Sequence, residues 1–215
     1  PPVSIQNPLG HFLNGQMLWI VAIGLSGVSS IIGALNFVTT IIQMRAPGMG
    51  FFKMPIFIWT VLAAQILQLL GLPALTGGAI MLFFDLNFGT SFFNPETGGD
   101  PVLFQHFFWF YSHPAVYVMV LPVFGIFSEL FPAYSRKPLF GYKFVAVASF
   151  GITILSLVVW VHHMFYTGTP MWMRNLFMFT TMLIAVPTGV KVFAWIATLW
   201  GGNLRLNTPM LFCLG

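Results

Sequence analysis

Three histidines lie inside long apolar stretches of the sequence. His113 lies in one stretch, and the adjacent pair His162 and His163 lies in the next. At the helical rise of 1.5 Å per residue, counted from the nearer end of each stretch, His113 is about 13 Å deep and the pair about 9 Å deep. A single membrane histidine is usually a hydrogen-bonding residue between helices. Three at similar depth, with no carboxylate or thiolate nearby, predict an all-imidazole metal site, for which copper, zinc, iron and nickel are all suitable.

Tyr117 follows His113 by four residues and therefore lies on the same face of a helix, one turn deeper. An aromatic residue in an apolar stretch usually serves only packing. Beside a redox-capable metal, however, a phenol is a candidate donor of a proton and an electron, which makes Tyr117 the candidate catalytic residue.

Lys191 is the one basic residue deep inside an apolar stretch, where burying an ammonium costs at least ~2.5–3.5 kcal/mol. It either extends toward the membrane interface or faces a polar cavity as part of a proton path. Pro187, four residues earlier, lacks a backbone donor and loosens the carbonyls near it. Ranked by depth, the polar residues of two stretches form a ladder toward the metal site: Ser128, Lys191, Thr188 and Tyr117. The ladder assumes that these two stretches lie side by side.

Two further polar groups have two interpretations each, helix packing or proton transfer. The first group lies in the first apolar stretch and contains Ser26, Ser29, Ser30 and Asn36. The second is Tyr111 with Ser112, directly before His113. His106 is expected to be structural or interfacial, and His11 precedes the first stretch without an evident partner.

The composition identifies the elements that position these residues. Hydrophobic residues make up 58% of the 215 residues and charged residues 6%, against roughly a quarter in a soluble domain. A soluble globular domain and intrinsic disorder are therefore excluded. The single cysteine excludes a disulfide scaffold, a thiolate zinc site and an iron–sulfur cluster. The net charge of +4 resides mostly in short loops and does not indicate nucleic acid binding.

Each long apolar stretch exceeds the ~20 residues that a helix needs to cross a bilayer. The stretches cover residues 16–43, 55–84, 104–130, 144–168 and 176–199, and a new one begins at 208. We therefore predict an all-α, polytopic transmembrane bundle with five complete spans and the start of a sixth, forming one domain over residues 1–215. With no initiator Met, the chain is expected to be a central fragment of a longer protein.

The loop charges predict the orientation in the membrane. Six basic residues lie in the loops 45–53, 131–143 and 200–207, whereas one, Arg174, lies in a loop on the opposite side. Because basic residues accumulate in cytoplasmic loops, these three loops are expected to face the cytoplasm.

Three segments together resemble subunit I of the haem–copper oxidases. They are Trp-Phe-Tyr-Ser-His-Pro-Ala-Val-Tyr at 109–117, Trp-Val-His-His-Met-Phe at 160–165, and Ile-Ala-Val-Pro-Thr-Gly-Val-Lys-Val-Phe at 184–193. The segments 99–106 and 27–36 are similar as well. The resemblance covers nearly the whole chain and implies a fragment of a twelve-helix core.

The resemblance implies a role for each matching residue. His113, His162 and His163 match the three ligands of copper B, and Tyr117 matches the tyrosine covalently linked to the first of them. Lys191, Thr188 and Ser128 match the K proton channel. Further matches are Trp109 and Thr181 at the high-spin haem pocket, and Ser29, Ser30 and Asn36 in the D channel.

One position departs from most A-type members of the family, because Ala115 stands where they have a relay glutamate. Tyr111 and Ser112, one turn earlier, resemble the subfamily in which a Tyr-Ser pair replaces that glutamate. Alanine carries no proton, so the Tyr111 hydroxyl is the candidate substitute. The Tyr-Ser form implies a bacterial or archaeal plasma membrane.

The function implied is that of a terminal respiratory oxidase, which reduces O2 to water with four electrons and pumps protons. Cytochrome c is the expected electron donor and oxidase subunits II and III the expected partners, with a high-spin and a low-spin haem whose axial ligands lie outside this chain. The alternatives are a quinol oxidase, a nitric oxide reductase of the same superfamily, and a non-enzymatic membrane transporter. Tyr117 and Lys191 count against the reductase, and the three histidines against the transporter.

Overall fold

The computed structural model describes residues 15–215, which are helical and contain no strand. The long helices are α1 (Gly15–Gln43), α2 (Ile56–Phe88), α3 (Pro101–Ser135), α4 (Tyr142–Ser156), α5 (Met171–Leu183), α6 (Ala185–Leu199) and α7 (Thr208–Leu214). Short 3-10 turns cover Phe51–Lys53, Pro95–Thr97 and Trp160–Met164. We call the last of these the histidine turn, because it carries His162 and His163. His11 lies outside the described residues.

Four helical segments of the described chain are long and apolar enough to cross a membrane: α1, α2, α3, and α5 with α6 taken together over Met171–Leu199. Their large apolar side chains often remain exposed, as at Leu25, Met182 and Phe193. A surface of this kind suits a lipid environment or further helices rather than water. The predicted all-α polytopic transmembrane bundle is thereby confirmed.

The predicted fourth span, 144–168, differs from expectation because it is not one continuous helix. Its helix α4 has 15 residues, which at 1.5 Å each spans about 22 Å and falls short of the bilayer core. The chain then passes into the histidine turn, where Val161 and Met164 are fully buried. Thr180 Oγ1 donates to the freed carbonyl of Val158 at 2.7 Å. Non-helical backbone is tolerated at membrane depth when it is buried and satisfied in this way, so the helical depth assigned to the histidine pair does not apply.

The predicted fifth span is interrupted as well. Helix α5 begins at Met171, five residues before the predicted start, and α6 follows it after a break at Ile184. Pro187 lies in the first turn of α6, a position where its missing N–H is tolerated. The carbonyl of Ile184 accepts from the Thr188 hydroxyl at 2.9 Å, so this side chain serves the backbone at the break.

Helix α2 is central, because α1, α3 and α4 all pack against it. It lies close to α3 at Gly125, where a Cβ atom would lie 3.0 Å from Phe57 Cα and would collide with Thr60 Oγ1. Helix α3 also packs against α6. The lateral contact that the predicted polar ladder assumed is therefore present.

Candidate metal centre and the polar residues around it

The three histidines converge on one point. His163 Nε2 lies 3.1 Å from His113 Nδ1 and 3.1 Å from His162 Nε2. One ligand nitrogen from each ring lies within 4.8 Å of the others. Two nitrogens bound at ~2.0–2.1 Å to one ion with a tetrahedral angle lie about 3.3 Å apart. The cluster therefore has the dimensions of a site for one metal ion.

Two separate elements supply these ligands. Helix α3 carries His113, and the histidine turn that packs against α3 carries the pair. The turn is anchored by the buried side chains of Val161, Met164 and Phe177, with Trp109 and Trp160 packed beside them. Because the chain leaves α4 before the pair, the turn can run against α3 and bring both imidazoles to His113.

A threonine on α5 fixes the orientation of His162. Thr181 Oγ1 donates its single hydrogen to the carbonyl of Phe177, at 2.6 Å, and lies 2.9 Å from His162 Nδ1. Toward the imidazole this oxygen can therefore only accept, so Nδ1 carries the hydrogen. His162 Nε2 is left with a free lone pair that points at the cluster, which is the tautomer that a metal ligand requires.

Trp109 holds the ring of His163. The two rings stack with their centroids 3.8 Å apart and an interplanar angle of 5°. The family resemblance implies that Trp109 and Thr181 lie at the haem pocket, and in the structure each of them also contacts a cluster histidine. His163 is exposed on the surface of the described chain, whereas His113 is 6% exposed.

Tyr117 lies beside His113, with ring centroids 4.9 Å apart and an interplanar angle of 56°. His113 Nδ1 belongs to the cluster, but its Nε2 is buried and has no hydrogen-bond partner within residues 15–215. Burying a polar nitrogen without a hydrogen-bond partner destabilises the folded protein. The function of this site must therefore account for the unpaired Nε2 and for the phenol beside it.

The donor set fits a copper ion. Within the described residues the cluster contains three imidazoles and no carboxylate or thiolate. Imidazole is a good ligand for copper, whereas calcium and magnesium prefer oxygen ligands. The chemistry of the donors and the spacing of their nitrogens therefore both fit a copper ion.

Lys191 is fully buried, and its Nζ donates to Ser149 Oγ on α4 at 2.7 Å. This placement is expected of a side chain that faces the protein interior rather than the membrane interface. Of the other ladder residues, Thr188 bonds the Ile184 carbonyl, and Ser128 donates to Phe124 O at 2.7 Å and accepts from Trp195 Nε1 at 2.9 Å. No direct hydrogen bond joins one ladder residue to the next within residues 15–215.

Tyr111 donates to Gln68 Oε1 at 3.3 Å. Both side chains line a cavity of about 390 Å³, together with Ser30, Gln65 and Ala115. The position that lacks the usual glutamate therefore opens onto a cavity that contains polar groups. Tyr111 and Ser30, two of the predicted proton-transfer residues, thus line the same cavity.

The remaining predicted residues are not brought to that cavity. Ser29 and Asn36 are exposed on α1, and Asn36 Oδ1 accepts from Thr40 at 3.5 Å. Ser112 makes no side-chain hydrogen bond within the described chain. His106 Nδ1 accepts from Trp160 Nε1 at 3.2 Å, which agrees with the structural role expected for it.

Sequence reasoning missed Ser149, Gln68 and Trp195. A signal for Ser149 was present, since Ser149, Thr153 and Ser156 recur at the spacing of one helix face inside an apolar stretch. All three are buried. Gln68 gave a weaker signal as a polar residue within an apolar stretch.

Comparison with known proteins agrees with this geometry. A family model described as cytochrome c and quinol oxidase polypeptide I matches residues 1–215. The chain belongs to this oxidase family. The resemblance to haem–copper oxidase subunit I is therefore confirmed, and the histidine cluster lies in a protein of a family to which haem and copper belong.

Three curated relatives are each called cytochrome c oxidase subunit 1. The chain is 58% identical to the one from Synechocystis sp. over 215 residues, which are 100% of the chain and 38% of the relative. It is 55% identical to that of Thermostichus vulcanus over 200 residues, which are 93% of the chain and 36% of the relative. It is 52% identical to that of Cereibacter sphaeroides over 198 residues, which are 92% of the chain and 35% of the relative. The chain therefore spans less than two fifths of the length of these oxidase subunits.

Proposed function

We propose that this chain is the central part of subunit I of a respiratory haem–copper oxidase, which reduces O2 to water with four electrons and translocates protons. The observation that carries the proposal is the convergence of three imidazole nitrogens within 4.8 Å, in a chain 52–58% identical to cytochrome c oxidase subunits. A membrane transporter has no need of such a cluster.

His113 Nδ1, His162 Nε2 and His163 Nε2 are the atoms proposed to hold copper B. A copper ion held there supplies one-electron chemistry between Cu(I) and Cu(II). The contacts of Thr181 and Trp109 keep two of the rings in place before the ion arrives. Such outer contacts raise metal affinity because the ligands need no reorientation on binding.

Tyr117 is proposed to be linked covalently to His113 and to donate an electron and a proton during turnover. The support is the orphaned His113 Nε2 and the adjacent phenol ring. Forming a bond from Nε2 to a ring carbon removes one hydrogen from each, that is two protons and two electrons in all, and O2 accepts them to become hydrogen peroxide. The bond would also remove the need of Nε2 for a hydrogen-bond partner.

Two proton paths are proposed. The first uses Ser128, Lys191 and Thr188 and leads to Tyr117, as in the K channel. The second uses Tyr111 with Ser112 in place of the missing glutamate, and Ser29, Ser30 and Asn36 before it, as in the D channel. Each charge moved across the membrane works against ~2.3 kcal/mol per 100 mV, which O2 reduction must supply.

The remaining partners follow from the family. Both haems are proposed to be held axially by residues outside this chain, with Trp109 and Thr181 at the high-spin pocket. Cytochrome c is the proposed donor because the relatives are cytochrome c oxidases by name. Quinol is the second candidate, since the family description includes quinol oxidases. Subunits II and III and a bacterial or archaeal plasma membrane complete the proposal, with the loops 45–53, 131–143 and 200–207 in the cytoplasm.

The decisive experiment is copper analysis of the purified full-length oxidase. We expect the His113→Ala variant to contain one copper ion fewer per enzyme than the wild type, because one of three ligands is lost. His106→Ala is the matched control, since His106 lies on the same helix but outside the cluster. Equal copper in the wild type and His113→Ala would show that the cluster holds no copper.

A further inference from the structure

The buried amine of Lys191 depends on one side chain. Within residues 15–215 its only hydrogen bond is to Ser149 Oγ, at 2.7 Å, and no Asp or Glu pairs with it. The Phe124 ring lies on α3, with its centroid 5.7 Å from Nζ. Both Lys191 and Ser149 are 0% exposed. A lysine enclosed in this way loses its one hydrogen-bond partner in the described chain if the hydroxyl is removed.

A serine hydroxyl suits an amine that gains and loses a proton. It has one hydrogen to donate and two lone pairs to accept with. When Lys191 is an ammonium, Ser149 accepts from it and donates its own hydrogen to Val145 O, at 3.0 Å. When Lys191 is a neutral amine, the hydroxyl can turn and donate to the nitrogen lone pair. The contact therefore persists in both protonation states, which a methyl group at this position would not allow.

A hydroxyl links the backbone at Ser149 to the central helix α2. Thr153 Oγ1 lies 3.1 Å from Ser149 O and 3.3 Å from Ala63 O on α2, so one hydroxyl bridges α4 to the central helix. Lysine, by contrast, has a flexible four-carbon chain. A buried hydroxyl on a packed helix gives the end of such a chain a defined hydrogen-bond partner.

We propose that Ser149 is a positioning residue for proton transfer through Lys191. Its hydroxyl holds the amine by a hydrogen bond against α4 between successive transfers. The proposal rests on the proton role of Lys191 proposed above and adds a residue that the family resemblance does not supply. Without the hydroxyl, the position of Lys191 Nζ is less well defined, and the amine adopts the geometry needed for proton transfer less often. We expect the loss of this charge-assisted bond to slow proton-coupled reduction of the haem–copper centre about tenfold.

The test is anaerobic stopped-flow reduction of the full-length oxidase, with the two haems followed separately. Ser149→Ala is expected to slow reduction of the high-spin haem about tenfold and to leave the low-spin haem unchanged. Ser149→Thr, which keeps the hydroxyl, is expected to restore most of the rate. Ser156→Ala is the matched control, because Ser156 is a buried serine of α4 that bonds Thr153 O and does not touch Lys191.

A double-mutant cycle separates positioning from general damage. Lys191→Met is expected to slow reduction more than Ser149→Ala does, and adding Ser149→Ala to it should cause no further slowing. Equal slowing by Ser149→Ala in both backgrounds, or a wild-type rate in Ser149→Ala alone, would overturn the role of Ser149. A wild-type rate in Lys191→Met would instead overturn the proton role of Lys191, and this inference with it.

Discussion

At the scale of single residues, the chemistry of the cluster depends on where one hydrogen atom resides. Thr181 uses its hydroxyl hydrogen on Phe177 O and so forces His162 to carry its own hydrogen on Nδ1. An imidazole with the other tautomer would present an N–H to the metal and could not bind it. A side chain that never touches the ion therefore prepares a ligand for it.

Removing that acceptor should weaken copper binding. For Thr181→Val, which keeps the shape and loses the hydroxyl, we expect copper to be released to a chelator at ~10–100-fold lower chelator concentration than in the wild type. Thr76→Val is the control, because the Thr76 hydroxyl bonds the Leu72 carbonyl of its own helix α2 and no cluster histidine. Unchanged copper retention in Thr181→Val would mean that the hydroxyl does not orient His162.

Residue types and spacing indicated much of this site. Three histidines in two successive apolar stretches predicted the metal cluster, although the helical depth assigned to the pair was wrong, and the four-residue interval to Tyr117 predicted a neighbouring phenol on the same helix. The partners Ser149 and Gln68 were not predicted, because they meet Lys191 and Tyr111 across helix interfaces. Such a contact depends on the rotation and separation of two helices, which a single sequence does not specify.

At the scale of elements, the apolar stretches predicted the helices well and their interruptions poorly. Hydropathy reports that a segment lies in an apolar environment, but the break after Ser156 is as apolar as the helix before it. Helix α4 ends early because of tertiary contacts. The side chains of Val161 and Met164 in the histidine turn are buried. The Thr180 hydroxyl donates to the Val158 carbonyl, which the helix no longer uses.

The packing of α2 against α3 allows an element-scale prediction. Gly125→Ala places a methyl group against Phe57 Cα and Thr60 Oγ1, so the helices must separate locally. Overpacking of this kind typically costs ~1–3 kcal/mol, and we expect a lower Tm for the purified oxidase. Gly77→Ala on α2 is the control, since its Cβ would meet nothing within 4 Å in the described chain. Equal Tm values for the two variants would contradict the close approach.

At the scale of the whole molecule, the scarcity of charge makes the few charges informative. Six basic residues lie in three loops, and each pair of successive loops is separated by two predicted spans. The same loops connect helices in the structure: the first joins α1 to α2, the second α3 to α4, and the third α6 to α7. The positive-inside pattern therefore predicts one orientation, with these three loops in the cytoplasm.

That orientation can be tested by introducing one cysteine at a time into the full-length oxidase, with Cys213 and any other accessible cysteine replaced by serine, and labelling it with a membrane-impermeant maleimide. Thr97→Cys, opposite the basic loops, should be labelled in intact spheroplasts. Met49→Cys, in the loop 45–53, should be labelled only after permeabilisation, because a cytoplasmic thiol is screened by the bilayer. Because Thr97 and Met49 are both exposed, a difference in labelling reports the side of the membrane and not the accessibility of the thiol. The reverse labelling pattern would invert the topology and with it the side from which protons enter the Lys191 path.

The histidine cluster joins parts of the chain that are far apart in sequence, since His113 and His163 are separated by 50 residues. An ion bound by both closes that loop, which contains all of α4. Part of the binding free energy of the ion is then spent on closing the loop and appears as stability of the fold. The proposed copper site would in this sense also be a cross-link, and metal loading would be coupled to the assembly of this part of the bundle.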